Sequence, residues 1–417
     1  MSSKTDVLIV GGGVIGLACA HYLVEAGRSV RVIERDTVGA GASHGNCGLV
    51  FVSDLVPLCV PGTVRGEIAG VLRRGSPLHI RPTLDLGRIR WLLHFARMCR
   101  LDHVRHAIRA REALLGSSER LYDALFRDTP LKAERERRGV LMVYRSEAAM
   151  QGYREVNDWL KPYGLDAKPL VGRALFDAEP ALRPEVYGAW HHRADSHLRP
   201  DALLASWRGL LAEKGVGFEE GCALRHFAAS GGRVQAAVTS RGEYRARDFV
   251  LAAGAWSAPI AARIGLSLPI EPGKGYSITM ARPGTCPRTP CYLHERRVVA
   301  TPWQSGYRLG GTMEFSGFSD DQPPKRLDAL RRAAAEYLVE PLGRPERETW
   351  AGLRPMTYDD LPVIDRFPEL RNLLLATGHG MLGITTAPAT GRLVAEMIGG
   401  EPPHIDPGPF GIRRFRR

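Results

Sequence analysis

Three glycines and one acid near the N-terminus have the spacing of a phosphate cradle. Gly11, Gly13 and Gly16 follow the apolar run Val7 to Val10 directly and open a stretch, Leu17 to Ala26, that is small and apolar at helical spacing. Gly11 permits a tight turn, Gly13 lets backbone approach a pyrophosphate where a Cβ would collide, and Gly16 lets a helix pack close to a strand. Val14 and Ile15 stand at the helix N-terminus, whose free N–H groups and positive dipole end suit phosphate oxygens. A second strand, Val30 to Ile33, ends at Glu34. A carboxylate there accepts from both ribose hydroxyls of an adenosine and repels a ribose phosphate, which favours FAD or NAD over NADP.

The elements that would position this chemistry can be followed along the chain. Arg35 to Gly48 is rich in Gly, Ala and Ser, so it reads as a loop lying close to something; Ser43, His44, Asn46 and Cys47 are the polar groups it offers. Leu49 to Pro82 reads as irregular. Arg88 to Cys99 reads as a helix with Ile89, Leu92, Leu93 and Ala96 on its apolar side, and Arg105 to Phe126 as another with Ala110, Leu114, Leu121 and Leu125 on one face. Lys132 to Arg138 reads as a solvated turn, Gly139 to Tyr144 as a strand, and Gln151 to Pro162 as helical. A further helix opens after Pro200. Gly217 to Arg247 holds three short strand-like pieces, around Phe218, Val234 to Thr239 and Tyr244 to Phe249, which read as a β-meander. Phe249 to Ala253 is a buried strand running into a glycine turn at Gly254. LPIEPGKGY (268–276) leads into a strand at Ser277 to Met280, with more strands at Val298 to Ala300 and Tyr307 to Gly311, and a helix at Arg326 to Tyr337. LLLATGHGMLGITTAPATG then repeats the opening logic: a buried strand, a glycine turn holding His379, and a helix from about Ile384 whose N-terminus points at a ligand.

The 417 residues exceed what one core usually supports, so two or three lobes are expected. No run approaches the ~20 apolar residues of a membrane span, and a buried strand starting at once leaves no room for a signal peptide. The seven cysteines are scattered, odd in number and without C-x-x-C pairs, which points to reduced thiols in the cytoplasm and against a metal site. The formal charge of +12 has three readings. Widely spread Arg is favoured, an anionic membrane face comes next, and nucleic acid last, because no Lys/Arg patch with interleaved aromatics stands out.

Together the segments IVGGGVIG with Glu34, GASHGNCG, LAAGAWS, KGYS, WAGLRPMT and TGHGMLGITTAPATG resemble the FAD-dependent D-amino acid oxidase/dehydrogenase superfamily, nearest its bacterial D-amino acid dehydrogenase branch. The resemblance covers nearly the whole chain and selects FAD over NAD. It implies a mixed α/β (α+β) fold. A Rossmann-like FAD-binding domain would comprise 1–54, 169–267 and 340–417, and an antiparallel-sheet substrate domain 55–168 and 268–339. It implies that Gly11, Gly13, Gly16, Glu34 and Arg35 hold the ADP half, that the backbone of Leu224 meets the adenine, and that Ala253 and Gly254 run along the pyrophosphate. Ser43, His44, Asn46 and Gly48 would lie near the flavin ring. Gly378, Gly380, Met381 and Leu382 would lie near its pyrimidine end. Arg354 in GLRP would form a bidentate pair with a substrate carboxylate, Tyr276 would support the same carboxylate, and His379 would stand close by. A second tyrosine that some relatives place near Val298 and Val299 is missing, which suggests a more apolar pocket. Some related amine dehydrogenases attach flavin through a histidine near this loop; His44 is one residue out of step.

The implied reaction passes hydride from Cα of a D-amino acid to flavin N5. The substrate is an ordinary D-amino acid or a cyclic one such as D-proline or cis-4-hydroxy-D-proline, and the electrons go to a quinone or other acceptor. No residue is assigned as a base. Competing readings are a glycine or sarcosine oxidase, a tRNA-modifying protein (its basic tail Arg413, Arg414, Arg416, Arg417 is short), and a non-catalytic subunit of a dehydrogenase complex. A cytoplasmic protein, with peripheral attachment to the inner face of the membrane left open, fits all of these.

Overall fold

The computed structural model describes residues 5–63, 78–80 and 85–415. The β-branched runs form a six-stranded sheet. Its order is β19 (Val363–Arg366), β20 (Leu373–Thr377), β13 (Ala246–Leu251), β1 (Thr5–Val10), β2 (Val30–Ile33) and β9 (Gly217–Glu219). Every neighbouring pair is parallel except β19 with β20. The sheet is covered on both faces, as parallel sheets require. Val7, Ile9, Val32 and Val250 pack with the helices α1 (Val14–Glu25) and, near the C-terminus, Gly383–Gly399; Leu8, Val10, Phe249 and Leu251 pack with Phe227 and Val234 on the other face.

The second sheet runs β18 (Glu346–Thr357), β14 (Ile270–Met280), β17 (Gly306–Phe315), β16 (Val298–Trp303), β15 (Cys291–Leu293), β5 (Val140–Tyr144), β7 (Gly188–His192) and β6 (Lys168–Val171), with β4 (Leu78–Ile80) against β17. It is antiparallel apart from β15 with β5 and β17 with β4. Sheet membership cuts across the expected boundaries at 169 and 340, since β6, β7 and β18 all belong to this second sheet.

Several expectations need correction. The meander is β10 (Leu224–Ser230), β11 (Arg233–Thr239) and β12 (Gly242–Tyr244); the strand at Phe218 instead extends the first sheet beside β2. LPIEPGKGY is not a lead-in, because β14 already begins at Ile270. Pro272 is tolerated because pairing with β17 starts only at Lys274, so on that side its missing N–H is not needed. Helix α2 (Leu86–Met98) turns Arg88 and Trp91 inward while Ile89 and Leu93 are exposed. Polar anchors override the apolar stripe there: Arg88 pairs with Glu271 at 2.7 Å and the Trp91 indole donates to the Pro269 carbonyl. Arg135, in the expected solvated turn, is pinned between Glu119 and Asp123. In the stretch read as irregular, residues 64–77 and 81–82 lie outside the described residues.

Helix α3 (Leu101–Asp128) repairs a weakness in α4 (Gly383–Gly399). Pro388 lies inside α4 and cannot donate to the Ile384 carbonyl. The Tyr122 hydroxyl donates to that carbonyl at 2.7 Å, and Ser118 Oγ accepts from the Ala389 N–H at 3.1 Å. The small residues of TTAPATG let α4 touch α1: a Cβ on Gly391 would stand 2.5 Å from the Ala18 carbonyl. The N-termini of α1 and α4 are thereby brought to the same end of the sheet.

Candidate active site

The C-terminal ends of β1, β2, β13 and β20 open on one cavity of about 2070 Å³, the end at which parallel sheets bind ligands. Sites for drug-sized molecules are ~300–1,000 Å³, so there is room for a dinucleotide together with a small substrate.

The dinucleotide half is built from backbone. Gly11 has φ +110° and its Cβ position is filled by the Ala252 carbonyl; a Cβ on Gly16 would run into the Gly11 carbonyl. Gly13 caps α1 without a side chain, so the first-turn N–H groups stay open toward the cavity. Among the described residues a side chain engages the Val14 N–H alone, through Ser43 Oγ at 3.1 Å. Glu34 is held at the strand end by accepting from the Gly12 N–H at 2.7 Å and the Asp36 N–H at 3.1 Å. The Cys222 N–H donates to the Glu34 carbonyl and the Gly221 N–H to the Asp36 carbonyl, which lays Leu224 against the same wall. Val14, Ile15, Arg35, Ala253 and Gly254 line the cavity as well, with Arg35 stacked 4.5 Å from the Trp256 ring centre. Glycine cradle, open helix N-terminus and carboxylate together fit an ADP moiety.

The loop after Asp36 is clamped by the second sheet. Buried Arg308 on β17 donates to the carbonyls of His44 (2.8 Å) and Asn46 (2.7 Å), and Thr301 Oγ1 donates to the Cys47 carbonyl. Gly45 packs on the Trp350 ring. Ser43 and Asn46 line the cavity, Asn46 spending its Oδ1 on the Gly48 N–H. His44 does not line it: its ring is drawn out to Glu348 at 2.8 Å. Gly16, Gly48 and Gly378 also stand behind the wall, shaping turns; Gly48 and Gly378 have φ +75°. Gly380, Met381 and Leu382 lead into the α4 N-terminus and do line it.

On the substrate side the structure brings Arg354, Tyr276 and His379 into one cavity and changes the work of two of them. Arg354 on β18 donates to the Thr312 carbonyl at 2.9 Å and has no carboxylate partner among the described residues. Burial pulls its pKa down, with Cys47 and Tyr292 acting the other way. Gly275 makes room for it, because any Cβ there would collide with the guanidinium. The Tyr276 hydroxyl is not free for a substrate, being donated to Glu314 at 3.2 Å. His379 is held by Thr390 Oγ1 at 3.0 Å, and burial lowers its pKa to about 3, so it stays neutral. Tyr292 on β15 supplies the hydroxyl whose absence was expected: it pairs across the sheet with Val299, faces the cavity, and lies within electrostatic reach of Arg354. Burial raises the Tyr292 phenol to about 12, so it is a donor at neutral pH. Neither Tyr292 nor Arg308 was singled out from sequence. Only the alternation of β15 and β17, with one face on the cavity, could have found them.

A protein family described as FAD dependent oxidoreductase matches residues 6–397. The chain belongs to that family. It is 34% identical to a D-amino acid dehydrogenase of Bradyrhizobium diazoefficiens over 98% of each chain, and 31% identical to one of Granulibacter bethesdensis over 98% of this chain and 99% of that one. Among solved structures, a glycine oxidase from Geobacillus kaustophilus superposes with a TM-score of 0.77 over 99% of each chain at 23% identity, a likeness of fold. FAD is thus the cofactor of this oxidoreductase, and the cradle described above fits its ADP half. Among the described residues no group of His, Cys, Asp and Glu could hold a metal, and no helix is long and apolar enough to cross a membrane. Of the basic tail, Arg414 is already bound to Asp359 at 2.7 Å, while Arg416 and Arg417 lie outside the described residues.

Proposed function

We propose that this enzyme oxidises the CH–NH bond of a D-amino acid, open-chain or cyclic as in D-proline and cis-4-hydroxy-D-proline. The imine hydrolyses to a 2-oxo acid or stays cyclic. The observation that carries the reading is Arg354, a guanidinium in the cofactor cavity with no carboxylate partner among the described residues. A planar fork of donors suits one carboxylate best. The names of the curated relatives support the same class.

FAD supplies the two-electron sink, accepting hydride at N5 when bound. The chain's own residues orient the substrate and exclude water. Arg354 and the Tyr292 hydroxyl hold the carboxylate and so fix the direction in which Cα presents its hydrogen. His379, neutral and tied to Thr390, pins the turn at the α4 N-terminus and is a poor base. The first-turn N–H groups of α4 favour negative charge beside them. The exposed apolar side chains Leu58, Trp256, Phe318 and Met381 on the cavity wall suit an apolar electron acceptor such as a quinone, with or without peripheral contact to a membrane. The test is to reduce the enzyme anaerobically with a D-amino acid and mix it with either air-saturated buffer or a water-soluble quinone. Fast reoxidation by quinone and slow reoxidation by air supports a dehydrogenase. Fast reoxidation by air replaces it with an oxidase.

A further inference from the structure

Among the charged groups that share the cavity with Arg354, Asp54 stands where a substrate's side chain could reach it. Asp54 follows β3 (Leu49–Val50), lines the cavity, and its carboxylate accepts no hydrogen bond among the described residues. Its neighbours are occupied elsewhere. Ser53 gives its N–H (2.9 Å) and Oγ (2.7 Å) to Asp195. Arg111 pairs with Asp360 and donates to the carbonyls of Asp54, Val56 and Asp360, pinning the loop without touching the Asp54 carboxylate. The Tyr153 hydroxyl is with His192 at 3.0 Å. Tyr292 lies within electrostatic reach of both Asp54 and Arg354. Apolar walls come from Phe51, Val56, Met142 and Val156.

A half-buried carboxylate that faces a ligand cavity without a hydrogen-bond partner favours a cation beside it. The substrate's α-amine is a poor candidate, since it must be neutral to expel hydride and a carboxylate against it would stabilise the unreactive ammonium. We propose that Asp54 is a specificity-determining residue that receives the positive charge on the side chain of a basic D-amino acid, whose α-carboxylate is held by Arg354. The inference rests on the D-amino acid reading above and narrows it. A neutral side chain gives Asp54 no partner; an acidic one is repelled by it.

The test compares D-arginine, D-norleucine and D-glutamate as anaerobic reductants of the wild-type holoenzyme, of Asp54→Asn and of Asp54→Glu. The wild type is expected to prefer D-arginine over D-norleucine at least tenfold in kcat/KM and to use D-glutamate worst. In Asp54→Asn that preference falls at least tenfold, mainly through KM, and Asp54→Glu restores part of it. Equal losses on both substrates, an unchanged ratio, or a wild type that favours D-norleucine would each overturn the assignment. If Asp54→Asn loses its flavin, the wild type alone decides. Burial raises Asp54 to about 6, against an opposing pull from Arg111 and a further push from Asp360, with Asp195, Tyr153 and Tyr292 also near. The preference for D-arginine must therefore fall between pH 8 and pH 5, and a flat ratio rejects the idea. Reduction by D-norleucine but not by D-arginine sinks only this inference, whereas reduction by no D-amino acid sinks the parent reading with it.

Discussion

Replacing Arg354 separates a binding role from a structural one, because the two predict opposite balances of activity and stability. In Arg354→Met the protein loses the hydrogen bond to the Thr312 carbonyl, 2.9 Å long, and no ion pair. One neutral acceptor losing its donor costs about 1 kcal/mol, and removing a desolvated, uncompensated charge offsets it. Folding stability should therefore change by no more than ~1 kcal/mol. Catalysis should suffer much more. Two charge-assisted hydrogen bonds to the substrate carboxylate contribute about 1.5–3 kcal/mol each. Their loss lowers kcat/KM by roughly 10²–10⁴. Arg354→Lys keeps the charge but not the fork, so it should fall between. The assays are urea unfolding and anaerobic reduction at a series of substrate concentrations. A variant that unfolds more easily by over ~3 kcal/mol, the cost expected of breaking a buried ion pair, or that keeps activity within tenfold, would refute the reasoning.

Three further outcomes follow. Tyr122→Phe leaves the Ile384 carbonyl beside Pro388 without its 2.7 Å donor, so stability in urea should drop by about 1–3 kcal/mol with little change in the substrate profile. Gly391→Ala places a Cβ 2.5 Å from the Ala18 backbone; forcing α1 and α4 apart should lower the thermal midpoint and the FAD content on gel filtration, whereas a fully loaded, equally stable variant would disprove the close approach. His21, His192 and His197 have pKa values lowered to about 4, chiefly by burial. The unfolded chain binds protons there below its usual ~6.5 while the folded one does not. Stability should therefore be flat for these groups above pH 7 and fall as pH drops from 6.5 to 4, as read by urea midpoints across that range.

What could be read from sequence was what local rules control. The glycine turns, the strand ends and the helix N-termini each follow from a residue's own conformational freedom, and Gly11 to Glu34 and Leu373 to Ile384 fold as read. What could not be read was set by distant partners. Tyr276 was read as a substrate anchor because nothing nearby shows that Glu314 takes its hydroxyl. His44 was placed at the flavin, yet Glu348, far along the chain, draws it away. Arg308, which holds the loop from His44 to Asn46, carries no local signal at all, and Tyr292 reaches the cavity only through the pairing of β15 with β16. The inward face of α2 was misjudged for the same reason, its Arg88 and Trp91 being fixed by Glu271 and Pro269.

The most direct test of the whole account is to mix the oxidised enzyme anaerobically with the two enantiomers of one amino acid and follow the flavin absorbance. The account predicts rapid bleaching by the D form and none by the L form. Bleaching by the L form alone, or by neither, would contradict it.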